Sequence, residues 1–99
     1  MARHVDVSCP AGQPTELSNA ENIGGLSTII LNSDGDVAII GTIDGTPPAD
    51  PNNSIILREI GDGWVGKNLS TVFPGATVVR LWAWPFSGTA EVFVSYADA

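Results

Sequence analysis

The chain has 99 residues, only 15% of them charged, with 4 Lys/Arg against 11 Asp/Glu and a net charge of −7. That length makes one domain, large enough to bury a core. The acidic balance argues against nucleic acid and anionic membrane surfaces, which need clustered Lys and Arg.

In chain order, residues 4–8 (HVDVS) alternate Val5 and Val7 with polar neighbours, the period of a half-buried strand. Residues 1–14 as a whole read as an extended arm that could add a strand to a neighbour. They contain no apolar run of signal-peptide length, and no segment has the ~20 apolar residues of a membrane span. Folding in a reducing cytoplasm is the expectation. Cys9 is the single cysteine, so no internal disulfide can form, and it reads as a small buried hydrophobe. Residues 19–23 could make one helical turn, ended by Gly24-Gly25.

Residues 27–32 (STIILN) and 37–43 (VAIIGTI) read as strands. Ser33-Asp34-Gly35-Asp36 between them has the residues of a hairpin turn. Asn32–Asp36 also resembles the start of a calcium loop. It lacks Gly at the sixth position, where Val37 stands, and Glu at the twelfth, where Ile43 stands. Residues 45–53 (GTPPADPNN) form an exposed loop, because proline removes ladder donors. A strand follows at 54–60 (SIILREI). Residues 61–67 (GDGWVGK) read as a second long loop that places Trp64 as a plug or a contact residue. Short strands follow at 68–73 and 77–84. The last, 89–96, is joined to 77–84 by Pro85-Phe86-Ser87-Gly88 and looks like its hairpin partner.

Seven short strands broken by Gly and Pro predict an all-β fold, a single antiparallel β-sandwich or jelly-roll-like domain over residues 1–99. The aromatic residues crowd its end: Trp82, Trp84, Phe86, Phe93 and Tyr96 all lie in the last twenty. Residues 1–62 carry two Lys/Arg and nine Asp/Glu, whereas 63–99 carry two of each. Alternation puts Thr77, Val79, Leu81 and Ala83 on one face and Val78, Arg80, Trp82 and Trp84 on the other. In the last strand Glu91, Phe93 and Ser95 oppose Ala90, Val92, Val94 and Tyr96. Arg80 and Glu91 should face water. Parity then carries Trp82, Trp84 and Phe93 outward as one apolar stripe, the kind of patch that marks a contact. A bulge would reverse the parity and turn the indoles into the core. The candidate interface is Trp82, Trp84, Phe86, Phe93, Arg80 and Trp64.

Catalytic and metal signatures are missing. His4 is the single histidine, no HExxH or Cys/His cluster is present, and the glycines form no phosphate-binding loop. Asp44, Asp50, Glu59 and Asp62 flank loops and read as solvated. The expectation is a protein that is not an enzyme and holds no cofactor or metal.

Several pieces together resemble a known group. These are the early V-x-V strand, AGQPTEL at 11–17, STIILN, VAIIGTIDG, FPGATV at 73–78, the late aromatic strand and a V-x-V return within 88–96. The layout resembles small structural proteins of the head and tail modules of tailed bacteriophages. The resemblance implies a capsid decoration (cement) protein or a related head-tail accessory. It would be a homo-oligomer, with a trimer favoured, assembled in the host cytoplasm and bound to the major capsid protein on the virion surface. A carbohydrate-binding module and a tail-tip or fibre-associated module are the alternatives.

Overall fold

The computed structural model describes residues 3–96. Eight strands form two four-stranded antiparallel sheets. The strands are β1 (Arg3–Cys9), β2 (Thr15–Glu16), β3 (Leu26–Leu31), β4 (Val37–Thr42), β5 (Ile55–Leu57), β6 (Gly63–Asn68), β7 (Arg80–Pro85) and β8 (Ala90–Tyr96). Sheet I has the order β1-β8-β3-β6 and sheet II the order β2-β7-β4-β5. First pairs with last, second with second-last, and so on inward to β4 with β5. The chain is therefore one long antiparallel hairpin rolled into two layers, the jelly-roll arrangement. The expected all-β sandwich is the fold observed.

The core lies between the sheets. Sheet I contributes Cys9, Ile29, Leu31, Val92, Val94 and Tyr96, and sheet II contributes Val37, Ile39, Leu57, Leu81 and Ala83. These residues are two apart along each strand, the spacing that puts side chains on one face. Tyr96 brings a hydroxyl into this layer, which lies 2.8 Å from the Ser18 carbonyl and 3.1 Å from the Glu21 carboxylate. The buried hydroxyl is thus partnered, as burial requires.

Several expectations change. Neither supposed hairpin is one. Ser33-Asp34-Gly35-Asp36 carries the chain from sheet I to sheet II, and Pro85-Phe86-Ser87-Gly88 leads back from sheet II to sheet I. The two crossings support each other, with the Phe86 N–H donating to the Asp36 carbonyl at 3.1 Å. Residues 61–67, expected to be a loop, largely form β6. Residues 68–73, expected to be a strand, contain the helical turn α1 (Leu69–Val72) instead. The glycines that suggested a loop serve an irregular edge strand. Gly63 sits at φ +141° and Gly66 at φ +60°, and the register against β3 shifts between Ser27 and Ile29. The expected helical turn at 19–23 is a tight turn with φ positive at Asn19 and Ala20, closed by Glu21 N–H to the Ser18 carbonyl at 2.9 Å. Thr15–Glu16 is a strand too short to show a period. The described part of the supposed arm, residues 3–14, is not free: the Gly12 N–H donates to the Pro85 carbonyl at 2.9 Å, and β1 is a ladder strand. It pairs with β8 of its own chain from Arg3↔Tyr96 to Cys9↔Ala90.

Two glycines are fixed by close approach. A methyl on Gly63 would fall on the Ile29 carbonyl oxygen. A methyl on Gly41 would stand 2.6 Å from Val78 Cγ1. Val78 fills the space beneath Gly41 and belongs to the core, contrary to its expected outward parity. The strand begins only at Arg80, so alternation does not extend back to Val78. Gly63→Ala is expected to cost about 3 kcal/mol or more through backbone overlap and strain. Gly25→Ala has open space and ordinary φ, and should stay within about 0.5 kcal/mol of wild type. Urea unfolding of the two variants checks both values.

Candidate docking face

The outer face of sheet II is built from cross-strand rows. Trp82 stands between Glu16 and Ile40. Trp84 is opposite Ala38, which is opposite Ile56 on its other side. Arg80 is opposite Thr42. Ala38 and Ile40 are buried although they point away from the core layer, as are all of the first four residues of β4. Their large neighbours Trp82, Trp84 and Ile56 flank them across the ladder. A continuous apolar run such as VAII suits a strand covered on both faces.

Trp82 has the expected parity but not the expected exposure, since only 5% of its surface is accessible. Its Nε1–H donates to Thr42 Oγ1 at 2.9 Å, and that hydroxyl donates to the Asp44 carbonyl at 2.7 Å. Trp82 therefore ties the start of the 45–53 loop to the sheet. Arg80 is held at the same margin. Its Nη1 lies 3.2 Å from Glu16 Oε2 and its Nε donates to Asn22 Oδ1 at 3.0 Å. A methyl on Gly45 would stand 2.9 Å from Arg80 Nη1, so the loop passes closely over the guanidinium. Glu16 Oε2 also accepts from Ser18 Oγ at 2.7 Å and from the Ala20 N–H at 3.1 Å. This half-buried, many-partnered pair is better placed to stabilise than an exposed one.

The remaining candidates are dispersed. Phe93 lies on the outer face of sheet I, between Asp6 and Ile30, on the opposite side of the sandwich from the indoles. The single stripe of Trp82, Trp84 and Phe93 does not exist, because β7 and β8 belong to different sheets. Phe86 is 48% exposed on the crossing after β7. Trp64 is a core residue, not a surface contact. It is 7% exposed, donates from Nε1 to Ser27 Oγ at 3.0 Å, and meets Phe73 edge-on at 6.3 Å. The usable apolar surface of sheet II is thus Trp84 with Ile56. Nothing in the sequence singled out Ile56, Ala38 or Ile40, although the doubly apolar run of β4 was the available signal.

A solvent-open cleft of about 490 Å³ lies at one end of the sandwich, between Ile23, Leu69, Ser70 and residues 76–79. No lining side chain is titratable, so the cleft itself supplies no proton-transfer group. Of the loop carboxylates, Asp44 accepts from the Thr46 N–H and Asp50 from the Asn52 N–H. Asp62 accepts from the N–H groups of Arg58 and Glu59. Backbone donors hold Asp44 and Asp62 below the ordinary carboxylate range. Among the described residues no group of three or more His, Cys, Asp or Glu could hold a metal ion, and no helix is long and apolar enough to cross a membrane.

Cys9 is fully buried, and burial, then the Glu91 carboxylate, push its thiol up to about 11. It should resist thiol reagents at pH 8 in the native protein and react once urea unfolds it. Its folded value lies above the ordinary 9.0. Stability from the buried thiol is therefore complete below pH 9 and lost as pH rises toward 11. Urea titrations across that range should show it, with Cys9→Ala flattening the fall. Trp82→Ala is expected to lower stability by about 3 kcal/mol through the lost burial and the freed Thr42 hydroxyl. Trp84→Ala should cost about 1 kcal/mol. Urea midpoints with unchanged slopes would verify both.

No family model, curated protein or solved structure matches this chain.

Proposed function

We propose that this chain is a non-enzymatic virion structural protein, a capsid decoration protein that stabilises a phage head. The observation that carries the reading is the outer face of sheet II. Trp84 and Ile56 there flank the buried Ala38 on its two sides, Trp82 stands beside the buried Ile40, and the ion pair of Arg80 with Glu16 stands at the margin. An apolar, aromatic centre with charge moved to the rim is the composition of a contact surface. The architecture supports the reading only as analogy, since jelly rolls serve viral shells and lectins alike. In this proposal the face docks on the major capsid protein. Copies associate at the virion surface as the sequence resemblance implies, with the trimer as the arrangement to test.

The test is sedimentation of the native protein from a lysate of its source, with mass spectrometry of the fast fraction. Many copies travelling with filled heads are the expected outcome. Trp84→Ala combined with Ile56→Lys should keep the fold and move the protein to the slow fraction. Travel with isolated tails would assign it to a tail tip or fibre and overturn the decoration reading. Retention among small proteins, with glycan binding lost in Trp84→Ala, would overturn it in favour of sugar recognition.

A further inference from the structure

The sandwich has four sheet edges, and three are blunted. β2 is two residues long and β5 three. β6 is bent by its register shift and by two glycines at positive φ, and it carries Lys67. Short length, bulges and lysine are the devices that stop strands from pairing between molecules. β1 has none of them. It runs seven residues with unbroken register against β8, contains no Gly, Pro or Lys, and among the described residues has no strand on its other side. Among the described residues its backbone makes no backbone–backbone hydrogen bond beyond those to β8, and the Cys9 thiol donates to the Val7 carbonyl at 3.5 Å. Its inward-phase Val5 is left 38% exposed.

We infer that β1 is a self-association edge, pairing antiparallel with β1 of a second copy to make one continuous eight-stranded sheet. The side chains choose the register. Antiparallel pairing across a two-fold axis keeps inward residues opposite inward ones, so the axis must pass beside a residue. Centring on His4 sets His4 against itself. Centring on Asp6 sets two carboxylates face to face, which is destabilising. Centring on Val7 sets Asp6 against Ser8 and leaves His4 without a partner in β1 of the second copy. Centring on Val5 sets Val5 against Val5, and His4 against Asp6 of the second copy, twice by symmetry. His4 Nδ1 is already engaged with Ser95 Oγ at 2.6 Å, so Nε2 is the nitrogen that reaches the carboxylate. The occupant is therefore a second copy of this chain, selected by the donor and acceptor pattern of His4 and Asp6 on its own edge. This edge is separate from the outer face of sheet II, so the inference stands whether or not that face docks on a shell. The contact is two-fold and links one copy to one other.

Sedimentation equilibrium of the purified full chain across a dilution series reads the association directly. A mass approaching twice 10.3 kDa is expected on concentrating. Val5→Lys, which sets like charges at the axis, should raise the dissociation constant about tenfold or more. Register is read by oxidative cross-linking in a Cys9→Ala background, where Val5→Cys should give a covalent dimer and Ser8→Cys should not. Hydrogen exchange on the wild type needs no variant: β1 amides should gain protection on concentrating, while those of β5 and β6 stay unchanged. A 10.3 kDa species at every concentration would overturn the inference. So would a dimer that survives Val5→Lys, equal cross-linking from Ser8→Cys, or concentration-independent exchange in β1.

Discussion

The structure depends on one pairing rule, in which each strand from the first half of the chain is matched with its mirror in the second half. β8 must enter sheet I between β1 and β3, and β7 must enter sheet II between β2 and β4. Neither sheet is complete until the last seventeen residues of the described chain, 80–96, are in place. Only β4 and β5 are joined in sequence and paired in space. Nearly every ladder therefore closes a long loop, and the entropy of closing it must be offset by the apolar layer between the sheets. That layer is the reason Val37, Ile39, Leu81, Val92 and Val94 are all almost wholly shielded.

The same rule governs where function can sit. Outward parity on a strand says that a side chain leaves the core layer; it does not say on which side of the molecule. Trp82 and Phe93 are both outward by parity, yet they face opposite directions because the chain changes sheets between them. The charge asymmetry dissolves in the same way. The neutral segment 63–99 supplies β6, β7 and β8, and each pairs with a strand from the acidic segment. A contrast that is sharp along the chain is interleaved in space, and no face is purely its property.

What was legible in the sequence was what depends on local period. The alternations in β3, β7 and β8, the exposed proline loop and the buried Cys9 follow from neighbouring residues alone. What was hidden depends on partners far away. Pro85-Phe86-Ser87-Gly88 has turn chemistry suited to a hairpin and to a crossing alike, and only the competition between sheets decides. Trp64 lies between glycines, which read as a loop. Its burial comes from Ser27 and Phe73, 37 residues before it for the first. Trp82 is shielded by a neighbouring strand and anchored by Thr42, 40 residues away. The outward half of the site was thus readable, and its depth was not.

The two surfaces this leaves differ in kind. On sheet II the indole N–H of Trp82 is already engaged by Thr42, so in the proposed docking the contact energy would come from Trp84 and Ile56 with little polar help. Such a face tolerates many partners of suitable shape, since apolar contact is non-directional. The β1 edge is the reverse. Its attraction is a directional ladder of backbone groups, and one-residue slips exchange inward for outward side chains. Specificity there comes from the His4 and Asp6 alternation around Val5 and not from area. In the proposed reading, the small apolar face of Trp84 and Ile56 and the register-selective β1 edge could be engaged at once without either distorting the other, because β1 and the outer face of sheet II belong to different sheets.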